Sequence, residues 1–232
     1  MSVLDARDPE DAMAIASFVN ASFHNSTHTM LGGLPAAEYC DIDDYMLGLE
    51  RLRDGTIHSD TENGWENARR LTEWFARGVE LVRKKTPVSR LAFISKGPGG
   101  PVGVLTIRHE LAAATQLGSI VVFPWKRLDI ASIKGAPVVD GESFLIISDV
   151  ATEGETIATA ANRITRFGGI VPAALVALDR QQGAAESLRQ ANIHLHALMD
   201  LSDLPNIDDL LHLTISTTLR PKRVLDLGGL PY

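Results

Sequence analysis

A short segment near the middle of the chain combines an acid, two hydroxyl residues and a glycine at a spacing that suits phosphate binding. Asp149 follows an apolar run, and Thr152, Gly154 and Thr156 come shortly after it. An acid at the end of a buried strand can reach a metal ion or sugar hydroxyls. The backbone amides of the turn would form a concave nest for an anion at a helix start. Gly154 permits the tight turn. The alternative is an ordinary strand–turn–helix junction with a threonine cap.

The same turn is unusually acidic for a phosphate site. Asp149, Glu153 and Glu155 place three negative charges where a dianionic phosphate would dock. Like charges at this range are unfavourable unless the side chains point outward or a cation such as magnesium lies between them. If the turn binds a phosphate, we therefore expect Glu153 either to point away from the nest or to share a cation with the ligand.

Three further segments carry polar groups at the ends of apolar runs. The first is Asp179-Arg180, after the run 174–178, where a guanidinium can grip a carboxylate or a carbonyl in a planar fork. Its alternative role is a local ion pair at a helix cap. The second is a glycine-rich loop with one cation, and its candidate residues are Lys96, Gly99 and Gly100. The third is a basic turn, and its candidate residues are Lys126 and Arg127. A generic Gly/Pro loop and a solvated basic turn remain the alternatives for these two.

The elements that must position these residues alternate from about residue 89 onward. Short apolar strands are predicted at 91–95, 119–123, 143–148, 171–178 and 193–197, with helices at 102–117, 155–167 and 184–190. Nearly continuous apolar strands between helices indicate a doubly wound α/β fold, a parallel sheet covered on both faces. Ligands of such sheets bind at the carboxyl ends of the strands, which is where all four polar segments fall.

The first third of the chain has a different pattern. Helices are predicted at 9–23, 43–53 and 65–85, with Pro87 ending the last one. We therefore expect two parts: residues 1–85 form an N-terminal helical hood and a long helix, and residues 86–232 form the α/β core.

Composition excludes several classes of protein. The 232 residues are 45% hydrophobic and 22% charged, which excludes disordered and collagen-like chains. The net charge of -7 argues against a nucleic-acid-binding surface. No apolar run approaches membrane-spanning length, and the first residues lack a signal-peptide pattern. Cys40 is the single cysteine, so no internal disulfide can form. We expect a cytoplasmic protein with no nucleic-acid or membrane partner.

Two of these segments resemble a known enzyme family. Residues 144–156 resemble the ribose-5-phosphate-binding signature of type I phosphoribosyltransferases: four apolar residues, two acids, two apolar residues and Thr-Thr-Gly-x-Thr. Asp149 matches the second acid, whereas Ser148 replaces the first and Glu153 replaces a small hydroxyl residue. Residues 174–198 resemble the orotate phosphoribosyltransferases, which have an apolar strand, Asp-Arg, a polar pair, Gly, Glu and Leu there.

The resemblance implies a pyrimidine phosphoribosyltransferase that uses phosphoribosyl pyrophosphate (PRPP). The 5-phosphate would bind at 152–156, the ribose hydroxyls near Asp149, the pyrophosphate at 96–100 and the base near Arg180. Mg²⁺ would bridge pyrophosphate and ribose oxygens, and the family commonly forms homodimers. Family members also close an Arg-Lys-x-x-Lys loop over the pyrophosphate. That motif is missing here, and Lys126 and Arg127 are the candidate replacements.

Two other hypotheses remain open at this point. Ser148, Glu153 and the missing loop motif favour a non-catalytic or repurposed member that binds a nucleotide or sugar phosphate. Asp149, Gly154 and the Asp-Arg pair favour the enzyme. An acidic scaffold without a ligand fits less well, because the glycines and hydroxyls fall at the carboxyl ends of strands.

Overall fold

The structure of the chain is a computed structural model. It describes residues 2–3, 30–31, 34–35, 49–51, 57–59, 61–95, 103–124 and 132–200. The strands in these ranges are β1 (Ser2–Val3), β2 (Met30–Leu31), β3 (Leu34–Pro35), β4 (Leu49–Arg51), β5 (Ile57–Ser59), β6 (Arg90–Ile94), β7 (Gly118–Val122), β8 (Ile133–Gly135), β9 (Ser143–Ala151), β10 (Ile170–Asp179) and β11 (His194–Asp200). The helices are α1 (Thr61–Arg83), α2 (Arg108–Thr115), α3 (Glu155–Arg166) and α4 (Ala184–Gln190).

A mixed sheet organises the described part of the chain. Its seven described strands lie in the order β1-β11-β10-β9-β6-β7-β8. Neighbouring strands run parallel except at the β7–β8 edge, which is antiparallel. The five predicted strands are all present, as β6, β7, β9, β10 and β11, and they form a continuous parallel sheet. The predicted α/β fold class is therefore confirmed.

Each face of the sheet packs against its own pair of helices. Leu145 and Ile147 of β9 belong to a cluster with Phe75 of α1, whereas Ile146 belongs to a second cluster with Ile164 of α3. Successive side chains on a strand point to opposite faces, so a strand covered on both sides must be apolar throughout. This explains why β9 and β10 have no polar–apolar alternation.

The long helix α1 is part of this packing. Leu71, Phe75, Val79 and Val82 are fully buried and share a cluster with Phe93 of β6. The division of the chain at residue 85 stays a prediction. No helix in the described ranges is both long enough and apolar enough to cross a bilayer.

Two predicted helices differ from the structure. Residues 102–117 do not form one helix: a 3-10 turn at Gly103–Leu105 precedes the short α2. Ile107 is non-helical before α2 and Gln116 is left-handed after it, so both ends are interrupted. The glycine and the β-branched residues near the start also lower helix propensity.

The predicted helix at 43–53 is wrong at its carboxyl end. Leu49–Arg51 forms β4, which pairs antiparallel with β5. Leu, Glu and Arg are good helix formers, but Asp54-Gly55 between the two short strands is also a hairpin signal. Pairing with β5 therefore outweighs the local propensity. Residues 43–48 and the helix predicted at 9–23 lie outside the described residues.

Candidate active site

The carboxyl ends of the central parallel strands bring several polar side chains to one edge of the sheet. Ser95 directly follows β6, Asp149 lies near the end of β9, and Asp179 and Asp200 end β10 and β11. All four side chains are buried. In α/β sheets, ligands usually bind at this edge, at the carboxyl ends of the strands.

Asp149 is held by its sequence neighbour. The Ser148 hydroxyl donates to Asp149 Oδ1 over 3.2 Å, and Asp149 is only 5% exposed. Ser148 occupies the position at which the resembled signature has its first acid. The strand end therefore carries one carboxylate and a hydroxyl donor in place of two carboxylates, which lowers its negative charge.

The turn after β9, residues 152–156, has the backbone geometry expected of an anion nest. Gly154 is left-handed (φ 82°) and sits at the start of α3, where no side chain of the described residues caps the helix. Its carbonyl accepts the first helical hydrogen bond, from the Ala158 amide at 2.9 Å. The helix dipole and the first-turn amides favour a negatively charged group at such a position.

The acidic side chains of this turn are exposed. Glu153, Glu155 and Thr156 are exposed, while Thr152 is partly buried. Carboxylates that reach into water are screened, so their repulsion of a bound phosphate is weaker than it would be inside the nest. Glu155 also lies in the first turn of α3, where a negative charge stabilises the helix.

A second turn, residues 179–183, is joined to the first by backbone hydrogen bonds. The Arg180 amide donates to the Ala151 carbonyl over 2.9 Å, and the Ala184 amide donates to the Thr152 carbonyl over 3.0 Å. An added Cβ on Gly154 would lie 3.1 Å from Leu188 Cγ of α4. The phosphate-type turn and the Asp-Arg turn are therefore packed as one unit.

Asp179 shapes that second turn. It is 1% exposed, and its Oδ1 accepts a hydrogen bond from the Gln181 amide over 2.8 Å. Gln181 is left-handed (φ 53°), and the chain bends at residues 182–183, just before α4. Burial raises the pKa of Asp179 above its ordinary value; the Gln181 amide opposes this rise, and the Asp200 carboxylate adds to it.

Replacing Asp179 with asparagine is expected to raise the free energy of unfolding at neutral pH. Because its pKa is raised in the folded protein, the unfolded chain loses this proton first as pH rises. Wild-type stability therefore falls from the ordinary aspartate pKa of about 4 up to the higher folded-state pKa. Asparagine keeps the acceptor for Gln181 without the charge, so its advantage should vanish in acid. Thermal unfolding of both proteins across this range measures the effect; an equal gain at every pH would contradict the assignment.

The structure brings together some of the predicted site residues and leaves others outside its described ranges. Asp149, Thr152, Glu153, Gly154, Glu155, Thr156 and Arg180 all lie at this edge of the sheet. Lys96, Gly99, Gly100, Lys126 and Arg127 lie outside the described residues, and their roles stay predictions. The Ser95 amide donates to the Val122 carbonyl over 2.9 Å, so the ends of β6 and β7, which precede these two segments, lie side by side at the same edge of the sheet.

Asp200 is a candidate that the sequence analysis missed. It pairs in register with Asp179 at the ends of β10 and β11. The signal was available, because Asp200 ends an apolar run in the same way as Asp149. No group of three or more metal-ligating side chains occurs in the part of the chain that the structure describes. A divalent ion here would need oxygens from a substrate.

The comparison with known proteins supports one family. The chain is 38% identical over 88 residues to an orotate phosphoribosyltransferase from Saccharolobus solfataricus, covering 38% of this chain and 44% of the relative. It is 46% identical over 63 residues to the Picrophilus torridus orotate phosphoribosyltransferase, covering 27% and 38%. The alignment thus spans less than half the length of these relatives. No protein-family model matches the chain.

A solved structure extends the likeness to the fold. The orotate phosphoribosyltransferase of Mycobacterium tuberculosis H37Rv, in complex with PRPP, superposes with a TM-score of 0.55 and 17% identity. The superposition covers 86% of this chain and 94% of that one. The fold is that of a type I phosphoribosyltransferase. The predicted resemblance to the orotate phosphoribosyltransferases is confirmed, and it is a divergent one.

Proposed function

We propose that the chain transfers the ribose-5-phosphate group of PRPP to a ring nitrogen of a pyrimidine-type base such as orotate, releasing pyrophosphate. The observation that carries this proposal is the turn 152–156, with left-handed Gly154 at the uncapped start of α3 beside Asp149. It combines an anion nest with an acid at the end of a buried strand, in a phosphoribosyltransferase fold.

The substrate would lie across the two joined turns. The 5-phosphate binds the amides of 153–156, and the ribose hydroxyls lie near Asp149, a hydrogen-bond acceptor for them. Arg180 follows the last residue of β10, and its amide is hydrogen-bonded to Ala151 at the end of β9. Its guanidinium suits the carboxylate or carbonyl of a pyrimidine. Pyrophosphate then falls at Lys96, Gly99 and Gly100, with Lys126 and Arg127 supplying further positive charge.

The chemistry needs positioning more than covalent help from the protein. The bond from the ribose C1 to the pyrophosphate oxygen breaks, and pyrophosphate leaves with the electron pair. The sugar becomes oxocarbenium-like, and a lone pair of the base nitrogen forms the new C–N bond. The proton of that nitrogen passes to the departing pyrophosphate. The chain holds the reactants in line, neutralises the leaving group and excludes water.

The residues at the site fit a Mg²⁺ ion that is shared with the substrate. Mg²⁺ prefers hard oxygen ligands and is commonly held by one or two carboxylates together with substrate phosphates. Asp149 is a buried carboxylate at the sheet edge, and the described residues offer no complete protein cage. When bound, the ion would neutralise charge that develops on the departing pyrophosphate.

Assembly and location follow as further parts of the proposal. We expect a cytoplasmic homodimer with no nucleic-acid or membrane partner.

A second candidate function is a non-catalytic PRPP or nucleotide sensor. It is favoured by the Ser148–Asp149 hydrogen bond, which stands where the resembled signature has two acids.

One assay separates these functions. Wild-type protein is incubated with PRPP, Mg²⁺ and each of a panel of bases, and pyrophosphate release and nucleotide formation are followed together. Equal amounts of both products with orotate support the enzyme. PRPP or nucleotide binding by calorimetry without turnover of any base supports the sensor, and absence of binding of both ligands contradicts both functions.

Glu153→Thr tests whether the acidic turn has been tuned for its ligand. Threonine restores the hydroxyl of the family signature and removes one charge. PRPP affinity should rise by roughly fivefold at low salt, with a smaller gain at high salt, where charges are screened. Calorimetry at two salt concentrations measures it. Glu110→Thr, an exposed first-turn acid on α2, is the matched control and should change nothing. Weaker binding by Glu153→Thr would instead place that carboxylate in contact with a sugar hydroxyl.

A further inference from the structure

We propose that Asp179 is the positioning residue for Arg180, and that it acts on the affinity for the base rather than for PRPP. This inference rests on the proposed function, in which Arg180 contacts the base. Asp179 itself need not touch a substrate, because it is 1% exposed and lies at the last position of β10.

The turn around Arg180 is fixed from both sides. On one side, the Arg180 amide donates to the Ala151 carbonyl over 2.9 Å, which ties it to the end of β9. On the other side, the Gln181 amide donates to Asp179 Oδ1 over 2.8 Å. Gln181 takes a left-handed φ of 53°, which an L-residue adopts at a cost unless its surroundings hold it. The Asp179 side chain supplies that restraint.

The position of Asp179 is unfavourable for a carboxylate. Asp179 Oδ2 has no hydrogen-bond partner among the described residues, and Asp200 faces it in register on β11. A buried carboxylate with a like-charged neighbour opposes folding. A buried acid at this position is therefore not explained by stability alone. It is explained if a short side chain must accept the Gln181 hydrogen bond and bend the chain after the strand.

Within the two joined turns, the proposed base site and the proposed phosphate site depend on different hydrogen bonds. The phosphate-type turn is held to the rest of the site through Thr152 and Ala184, whose hydrogen bond does not involve Asp179. Loss of the Asp179 acceptor should release Arg180 and Gln181 while leaving the nest at Gly154 in place. The predicted signature is a change in KM for the base with little change in KM for PRPP.

A double-mutant cycle on the full chain tests this inference. Asp179→Leu removes the acceptor at similar volume, and Asp179→Asn keeps it. We expect Asp179→Leu to raise KM for orotate by about tenfold or more, as for a lost contact to a charged group, and KM for PRPP by less than about twofold. Asp179→Asn should keep the KM for orotate close to the wild-type value. In an Arg180→Ala background, Asp179→Leu should add nothing, because its effect passes through Arg180.

The outcomes distinguish this inference from the proposed function. An active wild type in which Asp179→Leu raises both KM values equally, or in which its effect adds to that of Arg180→Ala, overturns the positioning role alone. A wild type that does not convert orotate with PRPP overturns the proposed function and this inference with it. Thermal unfolding is measured for each variant. If the leucine variant does not fold, Asp179→Ala removes the same acceptor with a smaller side chain and is judged by the same criteria.

Discussion

Replacing Arg180 with alanine is expected to raise KM for orotate by about 10- to 100-fold. A hydrogen bond to a charged group contributes roughly 1.5–3 kcal/mol, and a bidentate guanidinium–carboxylate pair lies at the upper end of that range. Arg180 follows β10 directly and its amide is bonded to Ala151, so the backbone should keep its course when the side chain is lost. Steady-state kinetics at saturating PRPP measures the effect, and KM for PRPP should stay close to the wild-type value.

A matched arginine controls for charge. Arg189 lies on the exposed side of α4, paired with Glu186 at 2.8 Å, and its side chain is 68% exposed. Arg189→Ala removes the same charge from the neighbouring helix and should leave KM for orotate unchanged. Equal effects of the two variants would mean that Arg180 acts through net charge and does not contact the base.

The second large effect is expected for Gly154→Ala, which should weaken PRPP binding by about tenfold or more. An L-residue in the left-handed region costs about 1–2 kcal/mol. In addition, the new Cβ would lie 3.1 Å from Leu188 Cγ and 3.4 Å from Ala184 Cα, so the Leu188 side chain or the turn must shift by a few tenths of an ångström. Moving this turn displaces the amides of the proposed phosphate nest. Calorimetry with PRPP and thermal unfolding measure the two consequences.

Gly183 provides the control for backbone strain. It is also left-handed (φ 104°), but an added Cβ there meets nothing within 4 Å. Gly183→Ala should therefore show the loss of stability that comes from strain, with little change in PRPP affinity. If both variants lose the same affinity, the nest does not depend on the fit between Gly154 and α4.

Much of the fold could be predicted because its strands are buried on both faces. A run such as 144–147 has to be apolar throughout, and that pattern is visible without coordinates. The helix α4 was predicted at its observed bounds, since Gly183 precedes it and its apolar residues have helical spacing. The segment 49–51 could not be predicted in this way. Its residues favour a helix, and only its pairing with 57–59 makes it a strand.

The site was predictable to the extent that its residues lie at the carboxyl ends of strands. The turn 152–156 and Arg180 are found by that rule. The link between the two turns is not, because it consists of backbone hydrogen bonds from Arg180 and Ala184 that depend on the neighbouring positions of β9 and β10. The facing of Asp179 and Asp200 likewise depends on strand register, which residue types alone do not fix.

A crystal structure of the protein with PRPP and Mg²⁺ tests the central claim most directly. We expect the 5-phosphate to lie against the amides of residues 153–156, with the ribose hydroxyls within hydrogen-bond distance of Asp149. A phosphate bound at another edge of the sheet, or a nest that remains empty while PRPP is bound elsewhere, would contradict it.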